Sequence, residues 1–520
     1  MHLGKKLFDS LSKDLFQPYL VDYGLPQKRV FRKITVLCLS LLLSNRIKGN
    51  ITGQRVGVVL PPGLPGFTAN FALFFCGRVP VNLNFTLGQE INREILNSSG
   101  VKTVLTVSAM FKKFPNFPWP KNCFWVDEFL KEISANRWLI LKTYLLICIF
   151  PKRAVRKFQI PTKGGNEIAT LLYTSGSSGK PKGVPLSHRN LLQNCSQLND
   201  LELFRDHPKV LINLPLFHSF GMTVGMIFST LRGLPVVTAP SPLDHRLNIQ
   251  AILDQSVEIL LGTPTFLRGY LKIAKQGELK SVRYVVAGAE KSPTPFRNSW
   301  EEKINCQYLE GYGLTETSPA LSFNLPGEGK RSGSVGRLLQ GVECRTLDPE
   351  SGKVTNREEG GVLCFRGANI FSGYWRDEEK TQEVLDADGW FKTGDIGRLD
   401  KDGFLWIEGR VSRFSKIGGE MVPHGRVEEE LLDILGLCPS DEPILVVSAV
   451  QDDKKGEKLI VLHSQDIDKG SVRVGLTEKG ISNLWNPRHF LKVENIPVLP
   501  SGKVDWQKVR TIISAYFSNS

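Results

Sequence analysis

Between Leu171 and Gly183 the chain reads LLYTSGSSGKPKG, and this stretch constrains the fold more than any other. Leu171, Leu172 and Tyr173 read as the end of a strand, and from Thr174 to Lys180 there is no apolar side chain. Gly176 and Gly179 let the backbone turn back with its N–H groups converging, and their lack of a side chain permits close approach of a ligand. Thr174, Ser175, Ser177 and Ser178 add hydroxyl donors, and Lys180 and Lys182 add positive charge. Such a loop suits a polyphosphate. The spacing G-x-x-x-x-G-K-[ST] is not met, so this is not a Walker A loop. A solvated Gly/Ser turn is the plain alternative, and the flanking Tyr-Thr-Ser and Lys-Pro-Lys-Gly argue against it.

At 520 residues the chain buries a large core and is expected to split into at least two domains. An apolar fraction of 41% with 23% charged residues excludes wholesale disorder. The net charge of +14 is uneven: residues 1–60 hold ten Lys/Arg against three Asp, and residues 101–165 hold twelve against three acids. Basic repeats, zinc-finger spacing and aromatic RNA-binding motifs are all missing, so no nucleic-acid partner is expected. An anionic membrane surface or an acidic protein remains. Nine scattered cysteines without a C-x-x-C pair fit reduced thiols. Asp9 interrupts the start before an apolar run forms, so no signal peptide is expected and the protein is placed in the cytoplasm.

Ile34 to Leu43 reads as a buried helix, too short to span a bilayer. Gln54 to Leu60 reads as a strand, Phe67 to Phe75 as a helix and Val79 to Leu83 as a second strand. This alternation predicts a parallel, helix-covered sheet. Trp138 to Phe150, WLILKTYLLICIF, is the most apolar segment, and PKRAVRK follows it. As a helix it reaches about 20 Å, short of the roughly 30 Å hydrocarbon core. Two readings stay open: a core helix, or a helix over residues 138–157 lying at a membrane interface with Arg153, Arg156 and Lys157 on anionic headgroups.

Further signals follow in order. Ser187 to Asn190 opens a helix, with His188 as a helix-start residue rather than a catalyst. His218 stands in INLPLFHSFG, after a strand and Pro215. Gly288, Ala289 and Glu290 end a strand in small residues, against which a purine can lie flat. In LEGYGLTETSP, Tyr312 between Gly311 and Gly313 offers a ring to stack on, Thr315 a hydroxyl, and Glu316 a carboxylate fit to hold Mg²⁺ beside phosphates. Asp395 in KTGD reads as a strand-end acid able to accept both ribose hydroxyl protons. His463 and Asp468 fit an H-x-x-x-x-D acyltransferase pattern by chance, because about 110 residues of C-terminal domain cannot supply such a core.

Five motifs in fixed order, the phosphate loop, LEGYGLTE, TGD, EGR and SGK, resemble the adenylate-forming superfamily over about residues 30–515. The resemblance implies an α/β fold: a large N-terminal adenylation domain over 1–408, of helix-covered sheets plus a β-barrel-like part, and a small mobile α+β domain over 409–520. It implies ATP and Mg²⁺ as cofactors, with a fatty acid as substrate. His218 then stands between acyl pocket and thiol tunnel, Gly262 to Phe266 form a pocket wall, and Arg410 is a second ribose contact. The hinge falls at Ser412, where the family usually has Asp or Lys. Lys416, Gly418 and Gly419 belong to the loop passed by a pantetheine arm, and Lys503 meets the carboxylate and α-phosphate during adenylation. LPLFHSFGMTVG, YVVAGAEK and GRVSRFSKIGGEMV look narrower still, like acyl-acyl carrier protein synthetases, which implies holo acyl carrier protein as acceptor. Ligation to coenzyme A is the alternative, and a non-catalytic membrane-surface protein on the same fold is a third reading.

Overall fold

The structure is a computed structural model and describes residues 1–520 except 176–179, 200, 418–419, 438–442, 453–455, 499–503 and 519–520. After an opening helix, Leu3–Leu11, come β1 (Pro18–Asp22) and β2 (Arg29–Arg32), an antiparallel pair. β3 (Arg55–Val58), β4 (Val79–Asn82), β5 (Thr103–Thr106) and β6 (Asn122–Trp125) make a parallel sheet in the order β4-β3-β5-β6. Helices Leu64–Phe75 and Gln89–Ser99 supply the crossovers that parallel pairing demands. β7 (Ile168–Ser175) and β8 (Pro181–Ser187) then form an antiparallel hairpin that presents the Ser/Gly loop, with Thr174 opposite Lys182.

β9 (Val210–Ile212), β10 (Val236–Thr238), β11 (Ile259–Gly262), β12 (Tyr284–Ala287) and β13 (Gln307–Gly313) are joined by parallel pairings to one another and to β1. With β14 (Ala320–Phe323) and β15 (Arg337–Leu338) they give a nine-stranded sheet, ordered β15-β14-β13-β12-β11-β9-β10-β1-β2 among the described residues. β11, Ile-Leu-Leu-Gly, is buried along its whole length, which is why it shows no polar alternation. Leu260, Val285 and Tyr308 from three adjacent strands join Trp300 and Tyr270 of the covering helices in one core.

β16 (Glu343–Leu347), β17 (Gly361–Arg366), β18 (Phe391–Leu399) and β19 (Leu405–Arg410) form a four-stranded sheet in chain order. The last sheet comprises β20 (Phe414–Ile417), β21 (Glu420–Pro423), β22 (Leu445–Asp452), β23 (Gly456–His463) and β24 (His489–Lys492). Helices His424–Ile434 and Lys469–Glu478 pack on it around Val427, Val447, Val461 and Leu476. The fold is thus α/β. Two compact units divide the chain: residues 1–344, 365–391 and 402–405 in the first, and 345–364, 392–401 and 406–520 in the second.

Two apolar helices differ from each other in their burial. In Lys33–Asn50, Ile34, Val36, Leu37, Leu41 and Leu43 are all inside, as the sequence predicts. In Arg137–Ile149 only Thr143 and Ile147 are buried, so the core-helix reading of residues 138–150 is wrong. The helix is apolar on every side and covered on one. Among the described residues, no helix is long and apolar enough to cross a membrane.

Candidate functional site

The parallel strands of the first unit deliver their candidate residues at one place, the carboxyl ends of neighbouring strands. His218 follows β9, Gly288 to Glu290 follow β12, and Gly311 to Glu316 close β13 and the turn after it. In open α/β sheets this edge is where ligands bind. Backbone geometry there requires small residues. A Cβ on Gly313 would lie 1.9 Å from the Pro319 carbonyl oxygen, and Ala289 holds φ +68° just past β12. At Gly288 a Cβ would meet the Gly311 carbonyl oxygen and Phe220 only at ordinary contact distances, 3.5 and 3.7 Å, so space does not demand glycine there.

Glu316 sits in the short 3-10 turn Thr315–Thr317 and is buried. Tyr374 OH donates to its Oε1 at 2.9 Å, and its backbone carbonyl accepts from Phe371 N at 2.8 Å. Among the described residues, the Tyr374 bond is the one hydrogen bond made to the Glu316 carboxylate. The Lys182 ammonium stands 5.1 Å from the Tyr374 ring centroid, and β8 packs against the 3-10 turn. The structure therefore brings the hairpin that carries the Ser/Gly loop next to Glu316, with Tyr374 between them. Lys180, at the loop's end, is exposed.

Tyr374 was not legible as a site residue, although NIFSGY marks its place. Its segment is fixed by side chains: Asn190 Nδ2 donates to the Ala368 and Ile370 carbonyls at 2.9 and 2.8 Å, and Asn369 Nδ2 donates to Thr317 O at 2.9 Å. Gly373 holds φ +131°, where a Cβ would strike Thr381 Cγ2 at 2.5 Å. The Gly-aromatic pair Gly373-Tyr374, four residues after Asn369, is the signal that points there.

Other candidates are placed as follows. The ring of Tyr312 is 6.0 Å from that of Phe365. Thr315 Oγ1 is 3.4 Å from Ser219 Oγ. His218 is exposed and caps the turn into the π-helical segment Phe220–Phe228, with Phe220 N donating to its Nδ1 at 3.3 Å. The carboxylate of Glu290 is engaged elsewhere, accepting from Thr265 N and Oγ1 at 3.2 and 2.6 Å at the start of the Pro264–Ile273 helix. Gly176, Ser177, Ser178, Gly179, Gly418, Gly419 and Lys503 lie outside the described residues.

The second unit holds the remaining candidates. Asp395 lies inside β18 rather than at a strand end, because β18 continues to Leu399. It is buried and pairs with Arg410 Nε at 3.0 Å from the end of β19, while its own N–H donates to Thr393 Oγ1 at 3.0 Å. Ser412 is exposed in the 3-10 turn Val411–Arg413. Lys416 is ion-paired with Glu350, and its N–H donates to Glu457 Oε2 at 2.6 Å. His463 and Asp468 are structural: His463 Nδ1 bonds the Gln465 carbonyl, and Asp468 caps the Lys469–Glu478 helix.

A cavity of about 390 Å³ lies elsewhere in the first unit, lined by Arg55, Arg78, Glu167, Trp375 and the histidines His2 and His188. None of the candidate residues lines it. Burial holds His188 down at about 3, with His2 and the N-terminal amine adding to the effect, so both Nδ1 atoms serve as acceptors for the Leu3 and Gly4 amides. His188 is thus a structural residue, as its helix-start position predicts.

Residues 39–375 match the family described as AMP-binding enzyme. The mitochondrial medium-chain acyl-CoA ligase of Macaca fascicularis is 31% identical over 354 residues, 65% of this chain and 56% of the relative. The chain thus spans little more than half the length of that relative. The rice (Oryza sativa subsp. japonica) 4-coumarate–CoA ligase 2 is 28% identical over 528 residues, 96% of this chain and 90% of the relative. In fold, the chain is similar to the Bacillus subtilis O-succinylbenzoate coenzyme A synthetase solved with ATP and magnesium ion. That pair has a TM-score of 0.79, 23% identity, and coverage of 97% of this chain and 99% of that one.

Proposed function

We propose that this chain, which belongs to the AMP-binding enzyme family, is an ATP-dependent acid–thiol ligase that joins a fatty acid to coenzyme A through an acyl-adenylate. The observation that carries it is Glu316: a buried carboxylate with one oxygen held by Tyr374 and the other without a partner among the described residues, beside the hairpin of the Ser/Gly loop. A hard, singly tethered carboxylate fits magnesium, which usually takes one or two protein carboxylates and completes its shell with water and phosphate oxygens. Glu316 would hold that ion, whose chemistry is to neutralise charge on the phosphates.

In the first half-reaction a fatty carboxylate oxygen attacks the α-phosphorus of ATP, and the bond to pyrophosphate breaks. Thr174 and the loop hydroxyls orient the triphosphate, Gly288, Ala289 and Tyr312 flank the adenine, and Asp395 with Arg410 takes the ribose. Catalysis here is chiefly positioning and electrostatics. Lys503 offsets charge on the carboxylate and α-phosphate. In the second half-reaction the small domain, residues 409–520, turns about Ser412. A thiol then enters past Lys416 and Gly418, attacks the acyl carbonyl near His218, and AMP leaves.

Coenzyme A is preferred as acceptor because two sequence relatives, the macaque acyl-CoA ligase and the rice 4-coumarate–CoA ligase, are named as coenzyme A ligases. Acyl carrier protein remains the second reading, carried by LPLFHSFGMTVG, YVVAGAEK and GRVSRFSKIGGEMV and by the basic excess that would steer an acidic partner. The test offers the protein ATP, Mg²⁺ and radiolabelled fatty acids of graded length, with coenzyme A and holo carrier protein in separate tubes. Label on coenzyme A is expected. Label on carrier protein alone would transfer the assignment to the second reading, and pyrophosphate release in neither tube would overturn both.

A further inference from the structure

The helix Arg137–Ile149 poses a packing problem that the catalytic reading leaves untouched. It packs on the Lys33–Asn50 and Val126–Ala135 helices, and Tyr144 OH donates to Thr35 Oγ1 at 2.9 Å. Only its Thr143–Ile147 face is covered. On the opposite face Trp138, Leu141, Leu145 and Ile149 recur at helical spacing and are 74%, 46%, 50% and 60% exposed. Phe150 extends the row, 45% exposed. A contiguous apolar stripe of this kind on a folded chain marks an interaction surface.

Charge says what covers it. Residues 137–157 carry six cations, Arg137, Lys142, Lys152, Arg153, Arg156 and Lys157, and no acid. All six are exposed, and the Arg153 guanidinium lies 4.7 Å from the Phe150 ring centroid, beside the end of the apolar helix. Of the three acids of the preceding helix, Asp127 accepts from Ser108 N and Glu132 is paired with Arg46, leaving Glu128 exposed against six cations. A protein partner would need an apolar groove rimmed by acid. A bilayer with anionic headgroups offers both components at once, hydrocarbon for the stripe and phosphate for the cations.

We propose that the exposed face of residues 137–157 docks this protein onto an anionic lipid surface, with Trp138, Leu141, Leu145 and Ile149 entering the acyl-chain boundary. The helix lies in the interface plane and does not span it, since its thirteen residues reach about 20 Å. Lys142, on the same face, extends its ammonium back to the headgroups. This surface is separate from the strand-end site, so the inference does not depend on the adenylation chemistry.

Flotation of the purified chain with phosphatidylcholine vesicles, with and without phosphatidylglycerol, tests it. Binding is expected to the anionic vesicles at low salt and to weaken steeply as salt rises. Replacing Lys152, Arg153, Arg156 and Lys157 together by Gln is expected to lower partition by about 10²–10³-fold, since each cation near such a surface contributes about fivefold. Trp138→Ser with Leu145→Ser is expected to lower it by at least about tenfold. ATP–pyrophosphate exchange in solution serves as the folding control and is expected to be unchanged in both variants. No flotation of the wild type, or flotation indifferent to both variants, overturns the proposal. A dimer in sedimentation that Trp138→Ser dissociates would overturn it in favour of a second copy of this chain. Should exchange be absent from wild type and variants alike while flotation still follows the face, the catalytic reading falls and this one stands.

Discussion

Glu310 and Glu316 belong to one motif, and both are buried, at 7% and 8% exposed. Their surroundings are opposite. Glu310 ends the parallel part of β13, paired with the buried Arg297 at 3.1 Å, whose guanidinium also donates to the Ser292 carbonyl at 2.7 Å. Burial still pushes the Glu310 carboxyl above the ordinary range, against the pull of Arg297. Glu316 has a phenol on one oxygen and no cation among its described partners. One acid is consumed by the fold, and the other is held ready for something outside it. Burial does not distinguish a structural carboxylate from a functional one, whereas the partner list does.

That contrast breaks first at Arg297. Arg297→Ala leaves Glu310 buried without its partner and is expected to cost about 3–5 kcal/mol of stability, read as a lower denaturant midpoint. A midpoint within error of wild type would mean the pair is not structural. Glu316→Gln is expected to do the reverse. Fatty-acid-dependent ATP–pyrophosphate exchange should fall by about 10²–10³-fold, with the midpoint unchanged. Loss of stability instead would put Glu316 in the same class as Glu310.

Buried imidazoles sharpen the contrast by staying neutral rather than pairing. Burial holds His188 and His424 at about 3, with His2 adding to the first and Arg413 to the second. Unfolded histidine takes up a proton below about 6.5, and the folded side chains do not until about 3, so the stability is present above pH 6.5 and lost as pH falls towards 3. At pH 5 each is expected to contribute a loss of about 2 kcal/mol, seen as a falling urea midpoint between pH 7 and 5. His188→Gln should flatten that slope, and an unchanged slope would show that His188 titrates normally. The smallest effect is at Tyr374. Tyr374→Phe removes one hydrogen bond to Glu316, worth about 1 kcal/mol, and exchange should slow about fivefold.

Much of the architecture was legible because alternation of strand and helix has few solutions, and the strands β3 and β4 with the helix between them fall where the apolar runs end. The glycines of LEGYG were legible for the same reason: at Gly313 there is no room for a side chain. What escaped depended on partners distant in sequence. Tyr374 matters through Glu316, 58 positions away, and the Glu290 carboxylate is occupied by Thr265, 25 positions away. The Arg137–Ile149 helix shows the same limit from the other side. Apolar composition tells that a surface is to be covered and not by what, so it resembled Lys33–Asn50 until burial separated them.

The central claim is that Glu316 stands in an adenylate-forming site, and the most direct measurement is ATP–pyrophosphate exchange driven by fatty acid. The wild-type protein is expected to exchange label only when ATP, Mg²⁺ and a fatty acid are all present, and Glu316→Gln to lose that exchange while melting as wild type does. Folded wild-type protein that exchanges nothing across the fatty acids tested, or exchange indifferent to Glu316, would contradict the account.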